Sequence, residues 1–158
     1  MPVHSSSTTT GRLPVIAIVD DDPADVHALR HAFKIIGFDV SFVVISSGVE
    51  FVDSLEDMFC DEASPNRPDL VFLDINMPIM NGLETLRTLR LQKSGRKLPI
   101  IMYSTSSDHS DIERAYELGA NSFVVKPHSL AGLKALAEKA RMFWFDAASL
   151  PTRPPVLS

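Results

Sequence analysis

Acidic side chains directly follow two apolar runs of this sequence. The run PVIAIV (14–19) leads into Asp20 and Asp21, and the run DLVFLD (69–74) ends in Asp74. Carboxylates that converge in a crevice repel one another, so they either take up protons or hold a cation. Mg²⁺ suits such a group because it prefers oxygen ligands and commonly binds one or two carboxylates together with phosphate oxygens. The pattern therefore predicts a Mg²⁺ site.

A hydroxyl and an ammonium group follow two further apolar runs. Ser104 and Thr105 come after PIIMY (99–103), and Lys126 closes SFVVK (122–126). An ammonium group balances the charge that a phosphoryl group brings, and a hydroxyl donates a hydrogen bond to a phosphoryl oxygen. With the carboxylates, these residues indicate phosphoryl transfer to a carboxylate nucleophile, in which the protein supplies position and electrostatic stabilisation.

The elements that must position these side chains are short strands alternating with helices. The runs, which also include VSFVVI (40–45), are rich in β-branched side chains, a pattern typical of strands covered on both faces. Stretches with helical spacing separate them, so we predict an α/β fold with a doubly wound, five-stranded parallel sheet. Ligands of such sheets bind beyond the carboxyl ends of the strands, where the polar residues stand.

Helix starts and chain ends carry their own signals. A capping aspartate, Asp22, precedes a proline, and three segments have the spacing of capping boxes: Ser47-x-x-Glu50, Asn81-x-x-Glu84 and Ser110-x-x-Glu113. We predict a last helix at about 129–147. Residues 1–12 and 148–158 lack apolar periodicity, so we predict a disordered N-terminal tail and a Pro-rich C-terminal tail around one domain at 13–147.

Four motifs occur in order along the chain: IVDDDPAD, LVFLDINMPIMNG, IIMYSTS and FVVKP. In these motifs and their spacing, residues 14–147 resemble the receiver domains of bacterial two-component response regulators. The resemblance implies a flavodoxin-like receiver fold with strand order 2-1-3-4-5. It also implies a stand-alone response regulator that accepts a phosphoryl group from a histidine kinase and then switches a protein-interaction surface, without being an enzyme in its own right.

The resemblance assigns roles residue by residue. Asp74 is the expected phosphoacceptor, and the expected Mg²⁺ ligands are Asp20, Asp21, Asp74 and the backbone carbonyl of Asn76. The expected phosphate-binding and switch residues are Ser104, Thr105, Phe123 and Lys126. The family pattern also implies a cis peptide bond before Pro127. The sequence departs from that pattern at Thr105, where many members carry Ala or Gly, at Asn81, which replaces a frequent Asp, and at His128, which replaces a frequent Phe.

A narrower resemblance concerns the long loop before the third strand and the ending MFWFDAASLP. Both features are similar to the small response regulators paired with phytochrome histidine kinases, which implies a bacteriophytochrome as the kinase. Members of that group often form homodimers, and the interface candidates here are Phe143, Trp144 and Phe145. The same aromatic residues could instead pack on their own domain, so both interpretations stay open.

Composition limits the other classes of function. A formal net charge of -5 argues against a surface built for nucleic acid, and no apolar run reaches the roughly 20 residues that a membrane-spanning helix needs. The single cysteine, Cys60, cannot form an intramolecular disulfide, which favours a cytoplasmic protein. His27 and His31 lie four residues apart on a predicted helix, and we interpret them as solvated rather than as a metal pair.

Three rival functions make different predictions. An aspartyl phosphatase of the haloacid dehalogenase kind would carry its nucleophile after the first strand, whereas the candidate here follows the third. A nucleotide-binding domain would carry a glycine-rich phosphate loop, and neither G-x-G-x-x-G nor G-x-x-x-x-G-K-[ST] occurs. A phosphorylation-independent, receiver-like binding module would lack Asp74, Asp21 or Lys126, and all three are present.

Overall fold

The computed structural model describes residues 12–153 and contains one five-stranded parallel sheet. The strand order is β2-β1-β3-β4-β5, which confirms the prediction. The strands are β1 Val15–Val19, β2 Ser41–Ile45, β3 Leu70–Leu73, β4 Ile100–Ser104 and β5 Ser122–Val125. Each corresponds to one of the apolar runs of the sequence.

Four α-helices connect the strands and a fifth follows β5: α1 Pro23–Ile35, α2 Gly48–Met58, α3 Gly82–Leu91, α4 His109–Glu117 and α5 Leu130–Ala140. Helices α1 and α5 pack together on one face of the sheet, and α2, α3 and α4 cover the other. None of the described helices is long and apolar enough to cross a bilayer.

The alternation of side chains along the strands creates two separate cores. In β3, Leu70 and Phe72 point into the core under α1 and α5, whereas Val71 and Leu73 point into the core under α2, α3 and α4. Strands β1, β3 and β4 are buried on both faces, which is why their sequences are continuously apolar. Runs of this kind suit the interior of the sheet, where helices cover both faces.

The caps that the sequence predicts are present for three helices, and the prediction for the fourth is wrong. Asp22, Ser47 and Asn81 each accept a hydrogen bond from the first turn of their helix, and Asn81 forms a full capping box. Helix α4, however, starts two residues earlier than Ser110 implies. Its cap is Asp108, whose carboxylate accepts from both the backbone N–H and the hydroxyl of Ser110, so Ser110 lies inside the helix.

The chain after α5 continues as a π-helical segment, Arg141–Ala147. Trp144 and Phe145 are half-buried against the core under α1 and α5, and the Phe145 ring lies 5.3 Å from that of Phe38. Phe143 remains 57% exposed. Of the three predicted interface residues, two, Trp144 and Phe145, therefore pack against their own domain.

Residues just outside the predicted domain bounds, 13 and 147, contact the domain on both sides. Asp69, fully buried at the start of β3, accepts hydrogen bonds from Arg12 at 2.9 Å, from the backbone N–H of Val15 at 2.7 Å and from the Thr152 hydroxyl. Leu150 is buried as well. Residues 148–153 thus pack against the domain through a carboxylate distant in sequence. The remaining parts of the predicted tails, 1–11 and 154–158, lie outside the described residues.

Candidate phosphoacceptor and metal site

Three carboxylates meet at the carboxyl ends of β1 and β3. These strands are neighbours in the sheet, so Asp20 and Asp21 after β1 come next to Asp74 after β3. One oxygen from each side chain lies within 4.8 Å of the other two. Asp20 and Asp74 are buried and Asp21 is exposed. An ion held between them would therefore remain accessible to water and to a phosphoryl group.

Backbone contacts hold this end of the sheet in place. The N–H of Asp74 donates to the carbonyl of Val19 at 2.9 Å, which extends the β1–β3 pairing to the nucleophile candidate. Gly82, the first residue of helix α3, lies directly against Asp74. The approach is so close that a Cβ at this position would overlap the carbonyl oxygen of Asp74. Glycine at this position lets the loop after β3 close tightly over the end of the strand.

Lys126 is the cation of the site. Its ammonium Nζ lies 2.8 Å from Asp20 Oδ2, 2.7 Å from Asp25 Oδ2 and 3.5 Å from Asp74 Oδ1. Strand pairing positions the residue, since its N–H donates to the carbonyl of Ser104 on β4 at 2.8 Å. The ring centroid of Tyr103 lies 5.4 Å from the ammonium group. Buried charge is thus compensated by direct pairing, as a buried ion requires.

Asp21, Asp74 and Lys126 open onto one cavity of about 470 Å³. Its lining residues are Asp21, Asp22, Pro23, Asp25, Asp74, Asn76, Thr105 and Lys126. The volume suffices for a hydrated cation together with a phosphoryl group. The structure therefore brings together most of the residues that the sequence predicts for the site.

The electrostatics of the site act chiefly on Asp74. Burial, and then the charge of Asp20, raise the pKa of Asp74 from 3.8 to about 6, although Lys126 opposes the change. Burial alone would lower the pKa of Lys126, but hydrogen bonds from its ammonium group to Asp20 and Asp25 outweigh burial and raise it. Burial raises the pKa of Tyr103 to about 12. At neutral pH, Asp74 is therefore mostly ionised and Lys126 fully charged.

The donor set fits a hard divalent cation. Both oxygens of Asp20 already have donors, since Oδ1 accepts from the N–H of Asp22 at 2.9 Å and Oδ2 accepts from Lys126. Asp21 and Asp74 therefore offer the freer carboxylate oxygens, and Asn76 lies in the same cavity. The site thus offers only a few protein oxygens and is open to water. Mg²⁺ suits such a site because it usually keeps part of its hydration shell.

Several predicted site residues lie beside the cavity rather than in it. Ser104 is fully buried and its hydroxyl accepts from the N–H of Ser106 at 3.2 Å, whereas Thr105 reaches the cavity. Phe123 is half-buried against the core under α2, α3 and α4. The cis bond predicted before Pro127 is wrong, because every peptide bond within 12–153 is trans. Trans is the isomer that X–Pro bonds intrinsically prefer.

Sequence reasoning missed two residues of the site. Asp25 binds Lys126, and Tyr103 packs beside the ammonium group. A signal for Asp25 was present in the sequence: it stands three residues after the Asp22 cap, so its side chain lies in the first helical turn at the rim of the cavity. Tyr103 stands one residue before Ser104 on β4, and its side chain belongs to the core under α1 and α5. Within an apolar strand, the sequence gives no sign that this ring also lies beside the ammonium group.

Comparison with known proteins agrees with this geometry. The sequence profile of the response regulator receiver domain matches residues 16–138. The chain is 28% identical to the response regulator Rcp1 of Synechocystis sp. over 137 residues, which is 87% of this chain and 92% of Rcp1. A solved structure of Rcp1 in its Mn²⁺-bound form superposes with a TM-score of 0.74, covering 87% of this chain and 99% of Rcp1.

Two other solved structures are similar. The phosphorylated cyanobacterial phytochrome response regulator RcpA is 27% identical with a TM-score of 0.76, and the response regulator RPA3017 in red light signalling of R. palustris is 30% identical with a TM-score of 0.79. Both comparisons cover 88% of this chain and 99% of the other. With its strand order, its acidic cluster and its paired lysine, the chain belongs to the response regulator receiver domain family.

Proposed function

We propose that this receiver accepts a phosphoryl group on Asp74 from the phosphohistidine of a kinase, with Mg²⁺ held by the acidic cluster. One observation carries the proposal: three carboxylates lie within 4.8 Å of one another while an ammonium group stands 3.5 Å from one of them. The carboxylates carry more negative charge than Lys126 alone balances, which favours a divalent cation, and the cation and the lysine together would offset the charge of an entering phosphoryl group.

In the proposed reaction, a carboxylate oxygen of Asp74 attacks phosphorus. The new P–O bond forms as the bond from phosphorus to the imidazole nitrogen of the donor breaks, and that nitrogen keeps the electron pair. Lys126 pairs with a phosphoryl oxygen and the Thr105 hydroxyl lies within the same cavity. Mg²⁺, when bound, supplies charge that offsets the phosphoryl oxygens. A nucleophile with a pKa of about 6 is ionised at pH 7.5, as attack requires.

Labelling tests this proposal directly. The protein is incubated with Mg²⁺ and a phosphorylated histidine kinase or radiolabelled acetyl phosphate, and the stability of the incorporated label is followed in acid and alkali. We expect an acid-stable, alkali-labile label on wild type and none on Asp74→Asn. Equal incorporation by the variant would remove Asp74 as the phosphoacceptor. A wild type without label would favour the second candidate, a binding module that never becomes phosphorylated.

We further propose that the kinase carries a phytochrome photosensor and that both proteins work in the cytoplasm. Support comes from the relatives: RcpA is a cyanobacterial phytochrome response regulator, and RPA3017 acts in red light signalling. Phosphotransfer profiling with a panel of kinases, including bacteriophytochrome kinases in both light states, tests the pairing. Transfer only from kinases without a photosensor would contradict it.

The output we propose is a changed protein-binding surface on α4, β5 and α5. Ser104, buried at the end of β4, and Phe123, half-buried on the neighbouring β5, are the residues through which phosphorylation of Asp74 would be transmitted. The backbone N–H of Phe123 also donates to the hydroxyl of Tyr116 on α4, which links the strand to that helix. Ser104→Ala should take up label normally while losing phosphorylation-dependent changes in the amide NMR spectrum around β5.

A homodimer is the remaining proposal, and its support is the exposed part of the π-helical segment. Met142 and Phe143 are both more than half exposed and adjacent, whereas Trp144 and Phe145 pack inward. Sedimentation of wild type and Phe143→Glu tests the contact without disturbing the core. A dimer that becomes a monomer in the variant supports the proposal, and a monomeric wild type would contradict it.

A further inference from the structure

Lys126 forms an ion pair with Asp25, an acid outside the group of three carboxylates that could hold a metal ion. Its ammonium group has three N–H donors, and two of them reach carboxylates: Asp20 at 2.8 Å and Asp25 at 2.7 Å. The distance to Asp74, 3.5 Å, is beyond a good hydrogen bond. The lysine therefore lies closer to helix α1 than to the residue expected to carry phosphate.

Asp25 contacts the lysine rather than the proposed ion. Among the described residues, the acids whose oxygens could share an ion are Asp20, Asp21 and Asp74, and Asp25 is not one of them. Its side chain is 37% exposed and lines the cavity that a phosphoryl group would enter. The same carboxylate thus attracts the lysine and repels an incoming phosphate.

We propose that Asp25 is a positioning residue that holds Lys126 in a resting pair and thereby slows phosphorylation of Asp74. Asp25 holds the ammonium group at 2.7 Å while Asp74 Oδ1 lies at 3.5 Å, so close pairing with a phosphoryl group on Asp74 draws Lys126 away from Asp25. The strength of the contact with Asp25 then sets how readily the site becomes phosphorylated. This inference rests on the proposed function, because it concerns the rate at which the same site reacts.

The test compares phosphorylation rates at saturating Mg²⁺. Acetyl phosphate donates the phosphoryl group: an Asp74 oxygen bonds to phosphorus, and the bond to the acetate oxygen breaks with release of acetate. In Asp25→Asn, we expect the rate constant to rise about three- to tenfold, the effect of removing one unit charge a few ångströms away in a water-filled crevice and freeing the lysine. Beryllium trifluoride, a phosphoryl mimic, should bind more tightly by a similar factor in calorimetry.

Asp22→Asn is the matched control. Asp22 lines the same cavity and caps α1, and an asparagine at this position keeps the cap. In the described part of the chain, the Asp22 side chain accepts a hydrogen bond from the N–H of Ala24 and makes no contact with Lys126. Both variants lose one negative charge, so both should weaken Mg²⁺ binding by a similar factor in a separate titration. Only Asp25→Asn should accelerate phosphorylation beyond the control, and Asp25→Glu, which restores the charge, should return the rate to within about twofold of wild type.

The outcomes separate this inference from the proposed function. If wild type takes up no label, the proposed function fails and the inference with it. If wild type is labelled but Asp25→Asn reacts no faster than Asp22→Asn, the inference alone is overturned. A role confined to stabilising the first turn of α1 would lower the melting temperature of Asp25→Asn and leave both the rate constant and the affinity for beryllium trifluoride at the control values.

Discussion

The ionised carboxylate of Asp74 should destabilise the metal-free fold, and neutralising it should make the protein more stable. Asp74 is buried between Asp20 and Lys126, and its pKa rises from 3.8 to about 6. Each pKa unit is worth about 1.4 kcal/mol, so the ionised side chain costs the fold up to about 3 kcal/mol at neutral pH. Asp74→Asn removes that charge, while Lys126 keeps its contacts with Asp20 and Asp25.

The pH dependence gives the prediction its sign. Between pH 4 and 6 the folded protein holds a proton on Asp74 that the unfolded chain has lost, so the wild type loses stability as the pH rises through this window. Above about pH 6 to 7 the cost is complete and constant. Asp74→Asn should therefore be about 1–3 kcal/mol more stable than wild type at pH 7.5 and nearly equal at pH 4.

Urea unfolding followed by circular dichroism, in the presence of EDTA, measures the difference. The two proteins are compared at several pH values from 4 to 8, so that other titrating groups cancel between them. In thermal unfolding of the same proteins, each kcal/mol gained should raise the melting temperature by about 2–4 °C for a domain of this size. A variant that is less stable than wild type at pH 7.5, or whose gain does not shrink in acid, would refute the reasoning.

Three further predictions follow from other contacts. Mg²⁺ should raise the melting temperature of wild type but much less that of Asp21→Asn, in thermal scans with and without the ion, because ligands stabilise only the state that binds them. Ile79, 96% exposed with φ 71°, holds a backbone conformation unfavourable for a branched side chain, so Ile79→Asn should stabilise by about 1 kcal/mol in urea unfolding. Asp69→Ala should cost about 2–4 kcal/mol in the same assay, since it leaves Arg12 and the N–H of Val15 without their buried partner, while phosphorylation of Asp74 stays unchanged.

The amino-acid sequence alone determined the class of fold and most of the site. Strands buried on both faces must be continuously apolar, so β1, β3 and β4 are visible as runs, and polar residues at their carboxyl ends must share one edge. Local hydrogen bonds also leave local signals, which is why the caps Asp22, Ser47 and Asn81 were predictable. The positions of Asp20, Asp21, Asp74 and Lys126 needed only the order of the strands.

Contacts between residues far apart in the chain were decided by the tertiary structure. Lys126 meets Asp25 across 101 residues, and Thr152 meets Asp69 across 83, and neither pairing leaves a periodic pattern in the sequence. The same holds for Phe145, whose ring lies 5.3 Å from that of Phe38. Periodicity reports which face of an element is apolar, but the partner of a single polar or aromatic side chain depends on how the elements pack.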